Sequence, residues 1–142
     1  MTRIGSSIRA AAALALLVTV GCGDGLPQRV PVSGQVLIDG VPLTQGSIMV
    51  VPEGDRPAGG TIGPDGRFRL SSYARNDGVV PGTHKVAIQA TEHLSERDTR
   101  WLAPKKYGNP NASGLTITVT EPRDDVVIEI TWEGKKPFVE RM

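Results

Sequence analysis

Alternation of apolar and polar residues after residue 30 is the feature that most constrains the fold of this chain. In the segment 126–132, for example, every second residue from Val126 to Trp132 is apolar. Successive side chains of a β-strand point to opposite faces, so this period of two indicates strands with one buried face. Seven segments have strand character: 30–38, 46–51, 59–62, 67–70, 83–90, 115–120 and 126–132. The sequence therefore predicts an all-β domain, built as an antiparallel seven-stranded sandwich.

Residues typical of turns separate these segments, and the sequence 63–66 (Gly-Pro-Asp-Gly) is one example. The proline presets one backbone angle, the aspartate can bond to its own backbone, and the second glycine can adopt positive φ. In the strand that follows, we expect Phe68 and Leu70 to face inward and Arg67 and Arg69 to face outward.

The first residues of the chain have the order of a secretory signal peptide. Arg3 and Arg9 provide a basic start without acids, residues 10–20 are apolar apart from one threonine, and Gly21 precedes Cys22. An apolar stretch of this length is too short to cross a bilayer as a helix, which needs roughly 20 residues. The pattern therefore predicts export of the chain.

Cys22 is the only cysteine, and its position after a small residue resembles the lipobox of bacterial lipoproteins. The resemblance implies a diacylglyceryl group on the thiol and cleavage before Cys22. Thr19 departs from the motif, which prefers leucine at that position. Two alternatives are an ordinary signal peptide cut elsewhere and a cysteine that is simply a small buried hydrophobe.

These patterns divide the chain into three parts. Residues 1–21 are predicted to be a lipoprotein signal peptide, 22–29 a linker from the lipidated cysteine, and 30–142 the β-domain. Seven linker residues after Cys22 reach at most roughly 25 Å. We therefore expect the domain to stay close to a membrane, on the periplasmic or outer face of a bacterial cell envelope.

The charge and the size of the chain limit the classes of function that it can have. Removing residues 1–21 takes away two arginines and no acid, which leaves 14 basic against 15 acidic residues. This balance gives no indication of nucleic-acid binding. About 120 residues suffice for one domain with one core. A single cysteine provides no disulfide framework.

The segment 91–113 interrupts the strand pattern and is long for a loop of a compact β-domain. Ser95 and Asp98 are spaced to cap a short helix that would run through Leu102. Pro104 would end that helix.

Four residues of the segment 91–113 are the candidate ligand-binding residues: Trp101, Tyr107, Lys105 and Lys106. Exposed aromatic rings flanked by bases stack on sugars or anchor partner proteins. The alternative is that both rings fold back and close one end of the sandwich.

Three sequence stretches resemble carboxypeptidase regulatory-like domains, also called transthyretin-like or prealbumin-like. Residues 34–43 are similar to their opening strand and turn, 63–70 to an Asp-Gly turn with an inward phenylalanine, and 80–88 to a Pro-Gly turn before a central strand. Residues 104–107 resemble a stretch common in small envelope lipoproteins. The resemblance implies an Ig-like or transthyretin-like sandwich that serves as an accessory or surface module, and the fold does not fix the function.

The sequence provides little for catalysis. His84 is expected to be a structural polar residue and His93 a solvated one, and no nucleophile elbow occurs. A zinc site uses three or four histidine, cysteine or acidic ligands at suitable spacing, and this chain has two scattered histidines and one cysteine. We therefore expect no zinc site and no cofactor. Calcium at Asp65, Asp124 and Asp125 stays open because it needs only oxygen ligands.

The sequence thus predicts a non-enzymatic, lipid-anchored envelope protein with a structural or binding module. Its expected partners are the membrane, through the lipid, and an envelope protein or glycan. The alternative is a carbohydrate- or peptide-binding module that uses the segment 91–113, and a third class is a hydrolase with an unrecognised site.

Overall fold

Eleven β-strands and one short 3-10 helix make up the regular structure of the computed structural model, which describes residue 21 and residues 25–142. Cys22 and almost all of the predicted signal peptide lie outside the described residues. The strands are β1 (Val32–Ile38), β2 (Val41–Pro42), β3 (Gly46–Val51), β4 (Ala58–Ile62), β5 (Arg67–Arg69), β6 (Gly82–Gln89), β7 (Thr91–His93), β8 (Asp98–Trp101), β9 (Leu115–Val119), β10 (Arg123–Ile130) and β11 (Phe138–Arg141); the 3-10 helix is Lys105–Gly108. In the described part, no helix has the length and apolarity to cross a membrane.

Two four-stranded sheets form the body of the domain. In the first sheet β1 lies between β10 on one side and β5 and β2 on the other. The second sheet has the order β4-β3-β6-β9 and is antiparallel throughout. A bridge between Gly59 and Ser71 links the two sheets along one side.

The inward residues of both sheets pack into one hydrophobic cluster. Val36 on β1, Val50 on β3 and Val86 on β6 are completely buried in it, as is Val119 on β9. Burial of each such side chain contributes roughly 1.5 to 3 kcal/mol to folding. An all-β domain whose two four-stranded sheets share one core is consistent with a β-sandwich.

A third, three-stranded sheet with the order β11-β8-β7 contains the segment that interrupted the strand pattern. The helix predicted up to Leu102 is wrong, because Ser95 forms a turn between β7 and β8. Its hydroxyl accepts the backbone N–H of Arg97 at 3.3 Å and of Asp98 at 3.0 Å. Pro104 precedes the 3-10 helix and so begins a helical turn instead of ending one.

The period of two predicts the positions of the strands correctly. It does not predict their number or all of their directions. Each of the seven predicted segments overlaps a strand, and Phe68 and Leu70 are buried while Arg67 and Arg69 are exposed, as predicted. The count of seven is not confirmed, since four further short strands occur. In addition β1 and β10 run parallel, an exception to the antiparallel expectation.

Gly34 allows this parallel pair to form, because β1 approaches β10 closely at that position. A Cβ atom on Gly34 would lie 2.0 Å from the carbonyl oxygen of Val126, far inside van der Waals contact. The register between the two strands also shifts just before Gly34. A side chain here would therefore push the two backbones apart.

We predict that Gly34→Ala lowers the free energy of unfolding by at least about 2 kcal/mol, because the added methyl group meets backbone that cannot move aside cheaply. Urea titration followed by circular dichroism measures this change. Gly59→Ala is the matched control, since its Cβ would meet only the Ile48 oxygen, at an ordinary 3.7 Å. Equal stability of the two variants would contradict the prediction.

Candidate functional site

Trp101 and Phe138 form an aromatic pair at the third sheet. They are direct cross-strand partners on β8 and β11, and their rings stack with centres 6.3 Å apart. Trp132 meets the Phe138 ring edge-on at 6.4 Å. Phe138 keeps 42% of its surface exposed, so the pair lies partly on the surface.

Lys105 and Glu140 surround this aromatic pair with polar groups. The Lys105 ammonium lies 5.0 Å from the Trp101 ring centre and 2.5 Å from the Glu140 carboxylate. The indole N–H of Trp101 donates to the other Glu140 oxygen at 3.0 Å. The hydrogen bonds from Lys105 and Trp101 hold the pKa of Glu140 below its usual value.

Tyr107 occupies a different position, buried in the main core. Its hydroxyl donates to the backbone carbonyl of Thr131 at 3.3 Å and accepts the Thr131 N–H at 3.2 Å. The Lys106 ammonium lies 5.0 Å from the Tyr107 ring centre and pairs with Glu133, whose hydrogen bond raises the pKa of Lys106. The ring therefore closes the end of the core next to β10.

The four predicted ligand-binding residues thus divide into two pairs. Trp101 and Lys105 share the half-exposed cluster, whereas Tyr107 is buried and Lys106 caps it. Both lysines have acidic partners within the chain. The predicted lipidation site, Cys22, lies outside the described residues.

A second candidate site is an open groove along the outer faces of β3, β4 and β5, with a volume of about 1200 Å³. Four arginines line it, and we call it the arginine groove: Arg56, Arg67, Arg69 and Arg75. Hydroxyl and amide groups stand between them, from Ser33, Ser47, Thr61, Ser71, Ser72 and Asn76. Asp124 is the one acid among the lining residues.

The arginines of the groove have no acidic partner within ion-pair distance in the described part of the chain. No ion pair is formed there by Arg56, Arg67, Arg69 or Arg75, in contrast to Arg123 at the margin, which pairs with Asp125 at 3.1 Å. The Arg56 guanidinium lies 5.0 Å from the Tyr73 ring centre, a cation–π contact that leaves its charge in place. The groove is therefore suited to an anionic ligand.

Sequence reasoning missed this groove because its parts lie far apart along the chain. The alternation around Phe68 did indicate that Arg67 and Arg69 face outward. Arg56 and Arg75 come from loops, however, and reach the same surface only through the pairing of β5 with β1 and the bridge from β4 to Ser71. No local spacing encodes that juxtaposition.

The Asp77 carboxylate fixes the loop that bears Arg75. It accepts backbone N–H groups from Ser72 at 2.6 Å, Tyr73 at 3.0 Å and Ala74 at 3.1 Å, and it pairs with Arg29 at 2.9 Å. Burial raises the pKa of Asp77, but these hydrogen bonds and the Arg29 charge outweigh it, so the pKa is lowered overall.

The two histidines lie as expected from the sequence. His84 is buried, and its Nε2 donates to the Val80 carbonyl at 2.7 Å, whereas Nδ1 has no hydrogen-bond partner among the residues that the structure describes. His93 is exposed and contacts the Thr99 hydroxyl at 3.3 Å. Across residues 25–142, no group of three or more histidine, cysteine or acidic side chains is placed to hold a metal ion.

Comparison of the chain with protein-family models, curated proteins and solved structures found no match. The candidate sites are therefore defined by their own geometry: an aromatic cluster at one end of the domain and the arginine groove along one side.

We predict that Tyr107→Ala lowers the free energy of unfolding by about 3 to 5 kcal/mol, since it empties a core position and leaves the Thr131 backbone groups without their partner. Trp101→Ala should cost less, because Trp101 is only half-buried. Thermal melting of the two variants measures the difference. A Tyr107→Ala protein as stable as Trp101→Ala would refute the assignment of Tyr107 to the core.

We predict that Asp77→Asn destabilises the protein by about 1 to 2 kcal/mol at neutral pH. Because the folded-state pKa of Asp77 is lowered, its stabilising effect is complete above the unfolded value near 3.8 and is lost as the pH falls through the folded value. The stability gap to wild type should therefore persist down to about pH 5 and shrink as the pH falls below 3.8 and through the lowered folded-state pKa. Urea unfolding across this range tests it, with exposed Asp125→Asn as the control; a gap independent of pH would contradict it.

Proposed function

We propose that this protein is a non-enzymatic, lipid-anchored component of a bacterial cell envelope, with a carboxypeptidase regulatory-like β-sandwich as its structural or binding module. The observation that carries the proposal is the short distance along the chain between Cys22 and the ordered domain. Arg29 is fixed to Asp77, and Val30 already forms a bridge with Val79. A domain that begins within eight residues of a lipobox-like cysteine is arranged as a tethered module.

The physical basis of the tether is burial of acyl chains in the bilayer. Each buried methylene contributes about 0.8 kcal/mol, so one chain holds a protein only marginally and two or more hold it stably. The diacylglyceryl group expected on Cys22 has two chains. The domain then acts by position, because its loops and grooves are presented at a fixed height above the membrane.

Binding by the segment 91–113 is the second candidate function, and the Trp101–Phe138 pair favours it. Stacked, half-exposed rings with a lysine beside them are suited to the apolar face of a sugar or to a peptide side chain. Tyr107 does not belong to that surface, since it is buried. Loss of glycan or peptide binding in a Trp101→Ala protein that melting shows to be folded would support this function.

Expression of the full-length chain beside Cys22→Ala, in a bacterium that processes lipoproteins, tests the anchor. We expect the wild-type product to begin at residue 22, to have the added mass of its acyl chains, and to appear in the membrane fraction. The Cys22→Ala product should lack the acyl mass. Intact-mass spectrometry and fractionation measure both properties.

A soluble, unmodified wild-type product would overturn the anchored function, and the chain would then be assigned as a secreted binding module. Ser95→Ala, which alters a remote turn and no part of the leader, is the control for expression and folding. It should be processed and fractionated like wild type.

A further inference from the structure

We propose that the arginine groove binds the phosphate groups of anionic lipids at the surface of the membrane to which the domain is tethered. The proposal rests on the proposed function for its choice of membrane, and on the groove itself for its chemistry. The bound partner is thus a lipid surface with several headgroups, contacted by the side of the sandwich that includes β5.

The chemistry of the groove matches phosphate. The guanidinium group is a planar, permanently charged donor that bonds two phosphate oxygens at once. Four such groups line one surface together with serine and threonine hydroxyls, which also donate to phosphate. Asp124 opposes this charge, yet the net charge of the lining side chains stays positive by three.

One end of the arginine groove lies next to the first residues of the domain, which follow the linker. Ser33 on β1 is the direct partner of Arg69 on β5, only three residues after Val30. A smaller hollow of about 420 Å³ shares Arg69 with the groove and is also lined by Pro31, the first residue after Val30. Arg75 belongs to the loop that holds Arg29. The arginines are therefore at, or directly beside, the membrane-facing end of a tethered domain.

Contacts around Tyr73 strengthen this link between tether and groove. Arg29 and Arg56 both lie over the Tyr73 ring, at 4.5 Å and 5.0 Å from its centre. Arg29, the last residue of the linker, and Arg56 of the groove therefore contact the same aromatic ring. Because Arg29 is held in place only seven residues after Cys22, the chain between these two positions spans at most roughly 25 Å.

The shape of the groove favours a surface with many phosphates over a single small ligand. A phosphate ion occupies a small fraction of 1200 Å³, and the groove is open along its length. Its arginines come from two loops and one strand and are spread over the surface, so they fit separate headgroups better than one anion. Basic residues near an anionic membrane contribute about 1 kcal/mol each, which is about a fivefold gain in partitioning.

Vesicle binding tests the proposal on the full-length chain with Cys22→Ser, so that no lipid anchor is needed. We expect stronger binding to phosphatidylcholine vesicles that contain one third phosphatidylglycerol than to phosphatidylcholine alone. The variant Arg69→Gln/Arg75→Gln should lose about tenfold or more of the binding to anionic vesicles. Co-sedimentation measures both effects. Because Arg3 and Arg9 of the leader also favour anionic vesicles, the decisive effect is the loss in the double variant, whose leader is identical to that of the parent chain.

The matched control is Arg97→Gln/Lys136→Gln, which removes the same charge beyond the carboxyl ends of β1 and β10. Arg97 lies in the turn between β7 and β8, and Lys136 lies between β10 and β11. This variant should bind nearly as well as wild type, and melting curves should show that both double variants are folded.

Equal losses in the two double variants would overturn the proposal, because net charge alone would then explain the binding. Binding of inorganic phosphate at millimolar concentration, without preference for anionic vesicles, would also overturn it and assign the groove to a free anion. Because Cys22→Ser is present throughout, failure of lipidation in the expression experiment leaves this test unaffected, so the two failures are distinguishable.

Discussion

The central position of β1 is the constraint on which the rest of the structure depends. Its backbone groups are shared among β10 on one side and β5 and β2 on the other, so nearly every hydrogen bond of the first sheet involves this strand. Gly34 makes the arrangement possible, because any side chain there would occupy the space of the Val126 carbonyl. With β1 fixed, β5 is aligned beside it, and the arginines of β5 are directed outward along the start of the domain.

The longer strands of this domain could be predicted from the sequence more completely than most of the short ones. Long segments such as 82–89 and 123–130 contain enough alternation to identify both the strand and its buried face, and the residues predicted to face inward are buried. The strands β7, β8 and β11 have three or four residues each, too few for a period to appear by itself, whereas the equally short β5 was found with the help of the turn at 63–66. The pairing of β8 with β11 joins positions about 40 residues apart, and the serine that was predicted to begin a helix instead closes the turn between β7 and β8.

The candidate sites, too, could be predicted from the sequence only where the residues involved lie close together along the chain. Trp101 and Lys105 could be found from sequence because an aromatic ring and a base stand close together in one loop, and the structure does bring them together. Tyr107 has the same local signal but a different environment, since burial depends on what β10 places next to it. The arginine groove joins two loops and a strand through pairing between sheets. Charge balance also concealed it, because a chain with nearly equal numbers of acids and bases gave no overall sign of a basic surface.

The parallel pairing of β1 with β10 has a mechanical consequence for any load that enters the domain through its amino end. A pull from the amino end reaches Arg29 and Val30 first and then acts along the axis of β1, while the ladder bonds to β10 lie across that axis. Such a load shears many hydrogen bonds at once, whereas a pull across the strand would open them one after another. The ion pair of Arg29 with Asp77 and the bridge from Val30 to Val79 would take up strain before β1 itself is loaded. The amino end of the domain is thus built to resist extension.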